Sequence, residues 1–421
     1  MLGGSVDQDE ARRAFEPLQL ADLERDGILA ESDGRLRAVV RIAPFEGLLV
    51  AHDPEDADVL RPDHVLGVGA ATRTLASLTV RRPVDAALDL GTGSGAQALL
   101  ASRHAQRVVA TDINPRALRY ARTNVTLNGT RNVDLREGSL FAAVEGDSFD
   151  LIVSNPPFVV SPDTSFVYRD AGSRGDTISE TVVQGAAAHL RAGGFATVVA
   201  SWVHTTDEDW SARPRAWVEG RGCDAWLLRH GTDDPGTYAA RWNLGLRRDV
   251  DEFAGTIERW RSYYVREGIA AITTGAIVLR RSAGATWVRA DEMPLPPGPR
   301  AGDQIARVFE AQDALASGLD VAAIPLELVD GHRLDQRLEY VGGEYRVGGA
   351  SIVLDGGIGV AATVAPHAVH VLFRLDGTAP LSTLVGDVAE ATGLDPAAVE
   401  ADGAATLRRL FELGLAVAAG H

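Results

Sequence analysis

The chain has 421 residues, 45% of them hydrophobic and 24% charged, which is too long for one ordinary core and carries no compositionally disordered tract. Its formal net charge of -17 argues against strong non-specific attraction to a nucleic-acid backbone, where Lys and Arg releasing counterions supply the free energy. A single cysteine, Cys223, excludes an intrachain disulfide and a multi-cysteine metal site. With no apolar run of membrane-spanning length and no apolar signal core in MLGGSVDQDEARRAF, the expectation is a cytoplasmic protein with no membrane partner.

In chain order, LQLADLERDGIL reads as a short helix and the alternating runs RLRAVVRI and EGLLVAH as a hairpin. Residues 1–62 are therefore expected to form a small α+β domain, a partial copy of a winged-helix module. From about Asp63 to Arg281 strands and helices alternate: VDAALDL, AQALLASRH, RVVATDI, ALRYARTNVTLNG, VDLREG, FDLIVSN, SETVVQGAAAHLRA, FATVVASWV. This alternation implies an α/β fold, a doubly wound, Rossmann-like parallel sheet with helices on both faces, over residues 63–290. MPLPPGPRAGDQ, from Met293 to Gln304, reads as a linker. Beyond it, LSTLVGDVAEATGL and AATLRRLFELGLAV give two helices, a Gly and an apolar strand, the pattern of a winged helix in a C-terminal domain over 300–421. The acidity of the chain puts a protein-binding or packing role for such modules ahead of DNA binding.

Chemistry concentrates at strand ends. Asp89-Leu90-Gly91-Thr92-Gly93-Ser94-Gly95 follows the first strand and opens a helix, and its alternating glycines let the backbone turn tightly and approach a ligand. The spacing is GxGxG, neither the GxGxxG of dinucleotide sites nor a phosphate loop ending in Lys-Ser/Thr. The second strand ends at Thr111-Asp112-Ile113-Asn114. There the Asp112 carboxylate suits both hydroxyls of a ribose or, alternatively, caps the helix that Pro115 opens. Leu151, Ile152 and Val153 form a buried strand that stops at Asn155-Pro156-Pro157-Phe158, because two prolines, lacking amide donors, cannot continue a sheet interior.

DLGTGSG, ATDINPRALRYARTNVTLNG and FDLIVSNPPF, in this order and spacing, resemble the class I S-adenosylmethionine-dependent methyltransferases, specifically the branch with an Asn-Pro-Pro-aromatic motif after the fourth strand. NPPFVVSP with the later GSRGDTISETV is most similar to the HemK-type release factor glutamine methyltransferases, in their eukaryotic and archaeal type. The resemblance covers about Asp85 to Val203, and the flanking regions lie outside it. It implies an enzyme that binds S-adenosylmethionine through Asp89, Gly91, Thr92, Gly93, Gly95, Asp112, Ile113, Ser139, Leu140 and Asn155, with no metal. It further implies that Asn155, Pro156, Pro157 and Phe158 form the catalytic motif. In that motif the Asn155 side-chain oxygen and the Pro156 carbonyl accept two N–H bonds from a planar nitrogen, and Phe158 gives the flat acceptor a face to pack on. Protein glutamine in a translation factor is the implied acceptor; an exocyclic amino group of RNA or DNA is the alternative.

One departure follows. Where the family commonly has an acidic residue for the adenine amino group, this chain has Ser139, so adenine is expected to rest on Ile113, Leu140 or Phe141. Tyr168-Arg169-Asp170 and Arg174-Gly175-Asp176 are candidates for a substrate-gripping lid against a default of surface charge. His104, His189 and His204 show no metal-ligand spacing, and Trp202, Trp210, Trp217, Trp226 and Trp242 are read as packing residues.

Overall fold

The computed structural model describes residues 4–54, 61–164, 167, 169, 175–205, 209–294, 296–365 and 367–419, with the side chains of 346 and 347 excepted. Of the sequence-predicted lid, Tyr168, Asp170 and Arg174 lie outside the described residues. The chain forms two compact units, Met1–Ala76 with Arg82–Asp291, and Ser77–Arg81 with Glu292–His421.

An eight-stranded sheet organises the first unit. Its strands are β1 (Val84–Leu90), β2 (Ala105–Asp112), β3 (Val133–Glu137), β4 (Phe149–Ser154), β5 (Leu190–His204), β6 (Cys223–Asp233), β7 (Ala271–Arg281) and β8 (Val288–Glu292). The order is β3-β2-β1-β4-β5-β7-β6-β8. Strands β1 to β5 pair in parallel, and β7 runs antiparallel to both neighbours. The doubly wound α/β expectation is met. The central strands are continuous apolar runs because helices cover both faces: Leu88, Val109, Ile152 and Val198 are each 0% exposed. Burying such a side chain contributes roughly 1.5–3 kcal/mol.

The helices used below are α1 (Ala70–Leu78), α2 (Ala96–Ala101), α3 (Pro115–Leu127), α4 (Thr177–His189), α5 (Ala212–Val218), α6 (Pro235–Trp242) and α7 (Val250–Glu267). Parallel register brings three strand ends together. Leu90 of β1 pairs with Thr111 of β2 on one side and Ser154 of β4 on the other. Ser154 Oγ donates to the Leu90 carbonyl at 2.8 Å, fixing the residue before Asn155 against the residue before Gly91. Order reverses between β1 and β4, the switch point where open α/β sheets leave a crevice at their carboxyl ends.

Residues before this sheet form two small ones, Ser5–Val6 with Arg35–Ala38 and Leu29–Ser32, and the hairpin Arg41–Phe45 with Leu48–His52. In the second unit, Leu381–Thr392 and Pro396–Glu412 are helices, and Ala416–Ala418 pairs with Leu326–Leu328. A long hairpin, His332–Val341 with Glu344–Leu354, belongs to the same unit.

Candidate functional site

At the carboxyl ends of β1, β2 and β4 lies a cleft of about 690 Å³, within the usual range for small-molecule sites. It is lined by Asp89, Gly91, Thr92 and Gly93 from the first turn, Asp112 and Ile113 from the second, Ser139 and Leu140 from the third, and Asn155, Pro156 and Pro157 from the fourth. The cleft thus gathers most of the residues singled out in the sequence.

Asp89 is 2% exposed and accepts from Thr92 Oγ1 at 2.6 Å and from the Ala98 amide at 2.9 Å, tying the turn to α2. Burial pushes its carboxyl up to about 7 despite these donors, and the neighbouring Asp112 pushes in the same direction. Asp112 accepts from the Gly93 amide at 2.9 Å through Oδ2 and from the Asn114 amide at 2.8 Å through Oδ1. Burial raises its carboxyl too. It does not cap α3: Asn114 does, accepting from the Arg116 amide at 2.9 Å. Of the two readings left open by the sequence, the helix cap falls away.

Two residues of these motifs stand outside the cleft lining. Gly95 does not line the cleft; it is the left-handed residue before α2, with φ +86°, and a Cβ there would stand 3.2 Å from the Cα and Cβ of Ala121. Its role is close packing of α2 on α3. Phe158 does not line the cleft either. It is 8% exposed and meets the Trp242 ring edge-on, centroids 6.1 Å apart at 75°. Trp242, read from sequence as packing, is half-buried and lines the cleft.

Of the residues expected to flank adenine, Ile113 is 56% exposed on the cleft and Leu140, at φ +50°, lines it. Phe141 is instead stacked on His189, centroids 4.6 Å apart, and outside the lining. The lid candidates that are described hold the fold together. Asp176 accepts from Arg213 Nε and Nη2 at 2.6 and 2.7 Å and from the Val203 amide at 2.9 Å, while Arg169 lies over the Trp260 ring.

Sequence reasoning also missed a wall formed ahead of β1. His64, Val65, Leu66, Gly67, Gly69 and Ala70 line the cleft. Asp53 pins this stretch: it accepts from the Val65 amide at 2.9 Å, Tyr120 Oη at 2.7 Å and the Arg116 guanidinium, and its own amide donates to the Val65 carbonyl at 3.1 Å. A Cβ on Gly67 would stand 2.6 Å from the His52 ring. Nothing local in the sequence signals this wall, since its partners are 12 to 67 residues from Asp53.

The Asn155 side-chain oxygen Oδ1 is buried and has no hydrogen-bond partner among the described residues. A buried acceptor left open costs about 1–3 kcal/mol, so one carried by a residue that lines a cleft calls for a partner.

Residues 67–208 match the Methyltransferase small domain family. The matched segment runs from the wall ahead of β1 to just past β5 and holds every cleft turn named above. The chain is 35% identical to a release factor glutamine methyltransferase from Xylella fastidiosa over 161 residues, 34% of this chain and 58% of that protein. It is 42% identical to another from Deinococcus radiodurans over 119 residues, 25% and 42% of the two chains. It is also 40% identical to a ribosomal protein L11 methyltransferase from Thermus thermophilus over 119 residues, 27% and 46%. The chain spans about half the length of these curated relatives. Among the described residues no helix is long and apolar enough to cross a membrane, and none form a His/Cys/Asp/Glu metal cluster.

Proposed function

We propose that the chain is an S-adenosylmethionine-dependent N-methyltransferase of a planar amide nitrogen, with a protein glutamine, in a translation factor, as acceptor. The open Asn155 Oδ1 carries this reading. An amide nitrogen has its lone pair delocalised and is a poor nucleophile. Two acceptors on its N–H groups, Asn155 Oδ1 and the Pro156 carbonyl, would orient it and raise its electron density without a strong base. The relatives' printed names, release factor glutamine and ribosomal protein methyltransferases, support a protein acceptor.

The cleft fits the cofactor. Its ionisable lining among the described residues is His64, Asp89 and Asp112, two carboxylates suited to a cationic ligand, with no Arg to hold a polyphosphate. Each Asp112 oxygen takes one backbone N–H and keeps lone-pair capacity for a ribose hydroxyl. Ile113 and Leu140 offer apolar contact to adenine, and Ser139 an acceptor for its amino group. When bound, S-adenosylmethionine supplies an electrophilic methyl on a sulfonium.

The acceptor class is tested by incubating the protein with methyl-labelled cofactor and a cell lysate, then treating portions with protease or nuclease. Label lost to protease and kept after nuclease is expected; the reverse moves the acceptor to a nucleobase amino group. Proton linkage tests the cofactor assignment. Asp89 titrates near 7 in the free protein, and a cationic ligand beside it favours the ionised form and lowers that value. Between the two values binding expels a proton, so affinity should fall as pH drops below about 7, by at most tenfold per unit, and level off above it. Calorimetry at pH 6 in buffers of different ionisation enthalpy reads this release directly. Asp89→Asn should reduce it, leaving only what the likewise raised Asp112 contributes, and a pH-independent affinity in the wild type would remove Asp89 from the cofactor site.

A further inference from the structure

The connection from β6 to β7 is a helical insert, α6, a short 3-10 turn over Leu244–Arg248, and α7, lying beyond the segment matched to the family. Asp234 starts it by accepting from the Gly236 and Thr237 amides, and Gly268 at φ +67° ends it. We propose that this insert forms the acceptor wall of the cleft, with Trp242 as the surface on which a neutral, flat carboxamide packs. The inference rests on the function proposed above.

Most of the insert's aromatic side chains are shut inside it: Tyr238, Trp260, Tyr263 and Tyr264 are 0%, 0%, 6% and 1% exposed. Trp242 alone among them reaches the cleft lining. It takes the place that the motif alone would give to Phe158, whose ring edge meets it. Phe158 is thus a positioning residue acting through the indole.

The same insert grips the chain leaving the motif. The Val160 amide donates to Tyr238 Oη at 3.2 Å, Tyr264 Oη donates to the Val160 carbonyl at 2.8 Å, and Trp260 Nε1 donates to Asp163 at 2.8 Å. Asn155 and Trp242 are therefore referenced to one another through Val160. Pro157, Thr164, Val167, Ile178 and Val182, none of them ionisable, belong to the same described lining. An amide plane has an indole face to lie against and the Asn155 oxygen to bond.

The test uses the full-length protein and its Trp242→Ala and Trp242→Phe variants, with labelled cofactor and a dilution series of the protease-sensitive lysate fraction. Trp242→Ala should lower transfer at limiting acceptor by about tenfold, the upper end for one aromatic face, and recover as acceptor is raised. Trp242→Phe should stay within about threefold of wild type, and both should titrate cofactor normally. Equal rates for wild type and Ala across the dilution series overturn the proposal. So does an Ala variant that loses cofactor affinity and melting temperature along with transfer, or a folded Phe variant that fails to rescue. Label moving to nuclease-sensitive material overturns the amide reading itself, whichever way the variants behave.

Discussion

Asn155→Ala should leave cofactor affinity near wild type while methyl transfer falls by roughly a hundredfold or more, comparable to removing one preorganised polar group from an active site. The side-chain oxygen bonds to no described residue, so its removal takes away no hydrogen bond among them. Melting temperature should stay level or rise slightly, because a buried open acceptor destabilises the free protein. Asn155→Asp keeps an acceptor oxygen and should retain more activity than Ala, at the cost of an added negative charge. Were Asn155 only the end of β4, Ala would lower melting temperature and cofactor binding together. The deciding measurements are calorimetric titration of cofactor and single-turnover transfer to the labelled acceptor on one preparation. An Ala variant transferring at the wild-type rate would end the assignment.

Gly93→Val should abolish cofactor binding while leaving a folded protein. Gly93 sits at φ +54°, and a Cβ there meets no protein atom within 4 Å. A β-branched side chain costs the left-handed backbone strain, about 1–2 kcal/mol, while its Cβ stands in open space. Gly93 lines the cleft, so the added bulk is expected to take up ligand space. Circular dichroism should stay native and calorimetry should show no binding. Retained binding would reduce the loop to a turn. Gly95 differs in kind, since a Cβ there presses on Ala121, so its substitution strains the fold itself.

The sequence by itself determined the central sheet and the positions of its turns. Short apolar runs such as VDAALDL and FDLIVS, alternating with helical segments, read as strands buried on both faces, and glycine or proline just past their ends forces the chain out of the sheet at Gly91 and after Asn155. Those signals are local, a period of hydrophobicity and a backbone restriction, and need no knowledge of neighbours. Asp112 had two local uses, and only the structure, by giving the cap to Asn114 and the Gly93 amide to Asp112, chose between them. Gly95 and Phe158 carry motif positions but are turned by packing onto Ala121 and Trp242, contacts that no spacing in the sequence encodes. Trp242 itself resembles the other tryptophans in any local window. It lines the cleft because β7 runs back beside β5, so the insert between β6 and β7 returns to the loop leaving β4 and bonds it at Val160, 78 and 104 residues away in sequence. Long-range pairing of strands decides such neighbours, and pairing is a property of the assembled sheet.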